Sequence, residues 1–228
     1  MALPITYQEV ERVYQRLLLN GVRCLAVSSA QPGEGVSLMV DALAKRAASV
    51  GKRVLIVDFN LFHPRIGADN WQWRHGQPPE SRIGTHDAVH CLPAPIDAAT
   101  RLNLKEPGQL EALVKEWAEQ YDLVLFDCAA QQLNNQSNLP PARVMAAADG
   151  VVLCYMAGVT ASCQLKTCCQ QLSQDGVNIL GVVINDRFNP PLKLELIRNL
   201  QKLSKYWPKL TTWLATKVTD SQLLSLRH

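Results

Sequence analysis

The chain contains no stretch approaching the roughly 18 consecutive apolar residues that a bilayer-spanning helix needs. Its longest apolar segment, Val151 to Val159, reads as a buried strand. No C-x-x-C pair occurs among the seven cysteines, which argues against a zinc ribbon or a dithiol redox motif. The pattern of a signal peptide is lacking too, and with an odd number of cysteines the expected setting is a reducing cytoplasm. Charge of one sign is scarce. A net charge of +3 is too small to imply nucleic-acid binding, which normally needs a concentrated basic face. There is no internal repeat and no low-complexity tract.

What is present is material for a core. With 228 residues, 47% of them hydrophobic, the chain is expected to form one α/β domain over 1–228. Cys24, Cys128 and Cys154 fall inside apolar runs, where cysteine acts as a small hydrophobe, and Cys168 and Cys169 are adjacent on an expected helix. His86, His90 and Cys91 lie on an expected strand, where residues four apart share a face only loosely. Core or surface histidines fit that segment better than a metal set.

The elements alternate. Val22 to Ser29 is a compact apolar run, Ser37 to Val50 follows with apolar residues at helical spacing, and Arg53 to Asp58 is a second β-branched run. Asp87 to Leu92, Asp122 to Asp127, Gly150 to Tyr155 and Val177 to Ile184 read as further strands, with helices over Pro107 to Gln120 and Ala161 to Gln174. Strands without polar alternation have both faces buried, so the expectation is a mainly parallel sheet covered by helices on both sides, a three-layer α-β-α fold. Ile66 to Thr85 has neither period and reads as loop. Residues 1–20 are expected to hold an N-terminal helix. Residues 190–228 are expected to form a basic helical segment, with Lys193, Arg198, Lys202, Lys205, Lys209, Lys217 and Arg227 against Glu195 and Asp220. Leu192, Leu196, Leu200 and Leu203 recur there at helical spacing. The segment either packs on the sheet or is an amphipathic surface helix, contacting a membrane through 190–217 or a partner groove, to which Trp207 and Trp213 are suited.

Between the first strand and the next helix stands Ala30-Gln31-Pro32-Gly33-Glu34-Gly35-Val36-Ser37. The phosphate-binding pattern G-x-x-x-x-G-K-[ST] uses glycines so that backbone N–H groups can wrap phosphates, a lysine to neutralise them and a hydroxyl for magnesium. Gly35 and Ser37 keep their places, but the lysine position is Val36. The backbone N–H groups of Gly33, Gly35, Val36, Ser37 and Leu38 are the candidate phosphate ligands, helped by the helix dipole. Asp58 and Asp127, at the ends of two strands, are the candidate catalytic acids and, with Ser37, the candidate magnesium ligands.

Ser28 to Gly35, Arg53-Val-Leu-Ile-Val-Asp-Phe-Asn-Leu-Phe-His-Pro-Arg65, Tyr121 to Asp127 and Asn178 to Asp186 resemble the cytoplasmic domain of bacterial tyrosine kinases of capsule and exopolysaccharide synthesis. Those belong with the MinD and ParA group of P-loop ATPases. The resemblance spans about Glu9 to Arg187 and implies a P-loop NTPase fold, ATP or ADP with magnesium as cofactors, adenine contact at Asn185, a membrane protein partner in polysaccharide synthesis, and homo-oligomers. The chain departs from that pattern at several points. Besides Val36, Asn60 replaces a further acid, and Cys128-Ala-Ala-Gln131 replaces the small residue and prolines after the third motif. The loop contains no lysine, the tail has only Tyr206 in place of a tyrosine cluster, and the assembly helix carries Glu9 and Arg12 but Gln15, with Arg16 one place on. Two readings stay open: a pseudo-enzyme serving as scaffold or regulator, and an ATP-dependent switch whose missing cation comes from a partner, a second protomer, or Arg65 or an arginine within 71–82.

Overall fold

The computed structural model describes residues 7–64, 88–95, 97–133 and 139–187, together with two short strands at 68–69 and 82–83. In chain order the elements are α1 (Gln8–Leu19), β1 (Cys24–Ser29), α2 (Val36–Ala48), β2 (Val54–Phe59), β3 (Ala68–Asp69), β4 (Arg82–Ile83), β5 (Val89–Leu92) and β6 (Ala94–Pro95). There follow α3 (Ala98–Lys105), α4 (Gln109–Gln120), β7 (Leu123–Cys128), α5 (Pro141–Ala146), β8 (Gly150–Met156), α6 (Ser162–Gln174) and β9 (Ile179–Asn185). Two compact units divide the chain: Met1–Tyr155 with Thr160–Asn185, and Met156–Val159 with Asp186–His228. In the second unit the described residues are Met156–Val159, Asp186 and Arg187, and Val159 N–H closes a turn onto the Met156 carbonyl at 3.3 Å.

Seven strands form the main sheet in the order β4-β5-β2-β7-β1-β8-β9, and the pairs β5 with β2, β2 with β7, β7 with β1 and β1 with β8 are parallel. Only β4 runs antiparallel to its neighbour β5. Every residue of β1, β2 and β7 is buried, because helices cover both faces. The period of two along each strand sorts side chains into two cores. Ala26, Leu55, Val57, Val124 and Phe126 join Leu110, Leu113 and Trp117 of α4, Val144 of α5 and Leu172 of α6. Leu25, Val27, Ile56 and Leu125 face the other way, against Tyr14 and Leu17 of α1 and Met39, Val40 and Leu43 of α2. The expected three-layer α-β-α arrangement is therefore present.

The structure corrects several boundaries. Residues 66–85 read as loop, yet β3 and β4 lie within them; strands of two residues carry no readable period. The helix expected from Pro107 begins at Gln109, because Gly108 takes a φ of 83° and turns the chain before the helix starts. Two helices without a sustained apolar period, α3 and α5, were not expected. Asp97 starts α3 by accepting the Thr100 backbone N–H at 2.7 Å, and Pro141 occupies the first position of α5. The apolar run from Val151 is strand only to Met156, and Val159 is 64% exposed. The segment 190–228, with Tyr206 and both tryptophans, lies outside the described residues, as do His86, Arg65 and Arg74.

Trp117 is 2% exposed and stands edge-on to Phe126 with ring centroids 6.2 Å apart. Trp117→Ala is expected to destabilise the fold by about 3–5 kcal/mol in denaturant titration, whereas Leu102→Ala, at a site 62% exposed, stays within about 0.5 kcal/mol. A second expectation concerns Arg143 of α5, which grips Glu111 of α4 with both guanidinium nitrogens, one contact at 2.8 Å. Hydrogen bonding from Arg143 holds the Glu111 carboxyl below its ordinary 4.5. The contribution of the pair is thus present above that pH and lost as pH falls below it. Being partly exposed, the pair contributes no more than about 1 kcal/mol, and Glu111→Gln removes that increment of the stability difference between pH 7 and pH 3.

Candidate functional site

The three central strands β2, β7 and β1 deliver their carboxyl ends to one edge of the sheet. Chain connections leave β1 and β7 in opposite directions across the sheet, so the order reverses between them. Ligands of open parallel sheets bind at such a reversal. The loop after β1 sits there, and Asp127 of β7 is in register with Val27 of β1 on one side and with Asp58 of β2 on the other.

The loop needs its glycines. Gly33 has φ 82° and Gly35 has φ 102°, a region costly for residues bearing a Cβ. A Cβ at Gly35 would also lie 3.0 Å from Asn185 Nδ2. Gly35 is the N-cap of α2 and supplies no side-chain acceptor, so the first N–H groups of α2 carry the positive end of the helix dipole without a capping side chain. Met39 N–H donates to the Gly35 carbonyl at 3.0 Å, which starts the helix. Among the predicted phosphate ligands, Gly33 and Gly35 shape the loop, and Val36, Ser37 and Leu38 form the first turn of α2.

Val36 is half-buried and packs against the core between the sheet and α1 and α2. A lysine at this position would carry its cation out of an apolar contact; valine stays in it. The loop's formal charge is consequently negative, since residues 28–37 contain Glu34 and no basic residue.

Asp58 and Asp127 are both fully buried and occupy paired positions on adjacent strands. Asp58 Oδ1 accepts the Asn60 backbone N–H at 2.8 Å, and Asn60 Oδ1 accepts that of His63 at 3.2 Å. Asn60, at the place of a further acid, is thus used as a turn former. Oxygen donors from Ser37, Asp58 and Asp127 suit a hard cation such as magnesium. Among the described residues no three His, Cys, Asp or Glu side chains form a metal cage, so the oxygens of a bound phosphate would have to complete the coordination. Such oxygen donors fit magnesium with phosphate, and residues 28–37 hold no lysine or arginine to face the phosphate.

The buried cysteines of the strands behave as packing residues. Burial, then the carboxylates of Asp127 and Asp58, push the Cys128 thiol well above its ordinary range, and burial lifts Cys154 to about 12. Neither yields a thiolate for nucleophilic or metal chemistry. Cys91 is buried in β5, and His90 Nδ1 lies 2.9 Å from Tyr121 Oη; this is a structural contact.

Sequence reasoning missed Glu34 and Thr160 as site residues. The Glu34 side chain is 1% exposed, accepts the Gln31 backbone N–H at 3.0 Å and accepts the Thr160 hydroxyl. A carboxylate inside a glycine loop was a visible signal. Thr160, 126 residues away in sequence, gave none. Asn185, expected to face an adenine ring, donates from Nδ2 to the Glu34 carbonyl at 3.1 Å.

No protein-family model matches this sequence, and no curated protein matches it. Solved structures do. The chimerical protein CapA2B2 superposes with a TM-score of 0.64 at 17% identity, over 78% of this chain and 83% of that one. The kinase domain of the Escherichia coli tyrosine kinase ETK gives 0.63 at 17% identity, covering 81% and 80%. The septum site-determining protein MinD from Pyrococcus horikoshii OT3, complexed with Mg-ADP, gives 0.57 at 19% identity, covering 73% and 71%. The chain has the fold these proteins share, the three-layer α-β-α P-loop NTPase fold.

Proposed function

We propose that this chain is a catalytically impaired relative of the bacterial tyrosine kinases, serving as a scaffold or regulator at a membrane-bound assembly for exopolysaccharide synthesis or export. The observation that carries the reading is Val36, whose side chain packs into the apolar core at the position where the motif requires a lysine. A missing donor to the developing charge commonly costs about 2.7 to 4 kcal/mol, at least roughly a hundredfold in rate. Asn60 and the sequence Cys128-Ala-Ala-Gln131 accord with the same loss. The pathway, a cytoplasmic location, a membrane protein partner, homo-oligomers and contact of 190–217 with the membrane follow from the resemblance and from the basic tail.

One observation favours a second reading. Asp58 and Asp127 remain side by side at the reversal point, where they could orient magnesium and the attacking group in a nucleotide switch completed by a cation from a partner or second protomer. Isothermal titration with magnesium-ATP separates the two. The unaltered protein is expected to show weak or no saturable binding, and Val36→Lys, restoring a charge-assisted contact, to bind at least roughly tenfold more tightly. Magnesium-dependent turnover by the unaltered protein that disappears in Asp58→Ala would overturn the pseudo-enzyme reading.

A further inference from the structure

The polar groups of the loop bond to one another and to residues of β9 and of the turn ahead of α6. Gln31 has both backbone groups occupied: its N–H donates to Glu34 Oε2 at 3.0 Å, and its carbonyl accepts from Ser29 Oγ at 2.7 Å. The other carboxylate oxygen of Glu34 accepts from Thr160 Oγ1, and Thr160 lies two residues before α6. The Glu34 carbonyl accepts from Asn185 at the end of β9. On the sheet side, Ser29 also accepts the Gln131 N–H at 2.9 Å, and Ser28 Oγ donates to the Ala129 carbonyl at 2.8 Å. Ser28, Ser29, Glu34 and Thr160 are all at most 5% exposed.

A buried carboxylate is costly unless hydrogen-bonded, and charge-assisted bonds from N–H and O–H donors are the strong ones. Glu34 accepts an N–H from Gln31 within the loop and an O–H from Thr160 just ahead of α6. The carboxylate therefore does inside the protein what a phosphate does from outside: it gathers loop donors around a negative charge. It also withdraws the Gln31 N–H from any incoming anion.

We propose that Glu34 is a built-in staple, an internal anion that keeps the loop folded in the absence of any ligand and ties its conformation to Thr160 and Asn185. The staple goes beyond the pseudo-enzyme reading, because it operates whether or not nucleotide binds. In ordinary loops of this class a bound phosphate can supply the order; here the chain supplies its own.

Amide hydrogen exchange of the full chain, followed by NMR without nucleotide or magnesium, tests this. Exchange at the Gln31 N–H is expected to rise roughly fivefold or more in Glu34→Ala and in Thr160→Val, with Thr160→Ser returning it to the unaltered rate. The Leu125 amide in the middle of β7 serves as the internal reference and should not change. Thr160→Val is nearly isosteric, so it carries the test should Glu34→Ala fail to fold. A Gln31 amide that exchanges at the unaltered rate in Thr160→Val overturns the staple. Because nucleotide is absent throughout, that outcome leaves the titration with magnesium-ATP to judge the pseudo-enzyme reading separately.

Discussion

Everything in the described structure depends on burying both faces of β1, β2 and β7. Their side chains alternate between two cores, so each strand must be apolar on both faces and each face must be roofed by helices. That requirement sets the direction of the strands, since helical crossovers return the chain to run parallel. Parallel strands bring their carboxyl ends to one edge, and the reversal of order between β7 and β1 opens the crevice there. The glycine loop, Asp58 and Asp127 meet at that edge because the hydrophobic layers put the strand ends there.

Within that frame the loop combines left-handed glycines with a negative formal charge. Gly33 and Gly35 retain backbone angles that residues with a Cβ adopt at a cost, and the start of α2 retains its dipole. Val36 turns the cation position inward to the core, and the buried charge left in the loop is the carboxylate of Glu34. Shape persists through packing and backbone hydrogen bonds. Residues 28–37 contain no lysine or arginine, while Asp58 and Asp127 occupy paired positions at the strand ends.

Much of this was legible because long buried strands and amphipathic helices leave unambiguous periods. β1, β2, β7, β8 and α6 were readable within a residue or two, and Cys24, Cys128 and Cys154 were recognised as core from their apolar neighbours. The two-residue strands β3 and β4 and the short helices α3 and α5 were not, since each is too short to complete a period and is stabilised by its neighbours or by a cap such as Asp97. Near the loop, the placement of Gly35 and Ser37 at the start of α2 and of Asp58 and Asp127 at the ends of β2 and β7 was readable from motif and position. The hydrogen bonds of Glu34 to Thr160 and of the Asn185 amide to the Glu34 carbonyl were not, since they join residues far apart in sequence.

The amino-acid sequence by itself determined the layer order, the parallel sheet, the glycine loop and the loss of its lysine, because these follow from local periodicity and from residue identity at fixed spacings. Tertiary structure alone decided where Val36 points, which donors surround Glu34, and that Asp58 and Asp127 occupy paired positions. Those depend on which strands become neighbours and on contacts across more than a hundred residues, as between Glu34 and Thr160. No local pattern carries that information, because the entropy of closing such long loops is overcome only by the packing of the whole sheet.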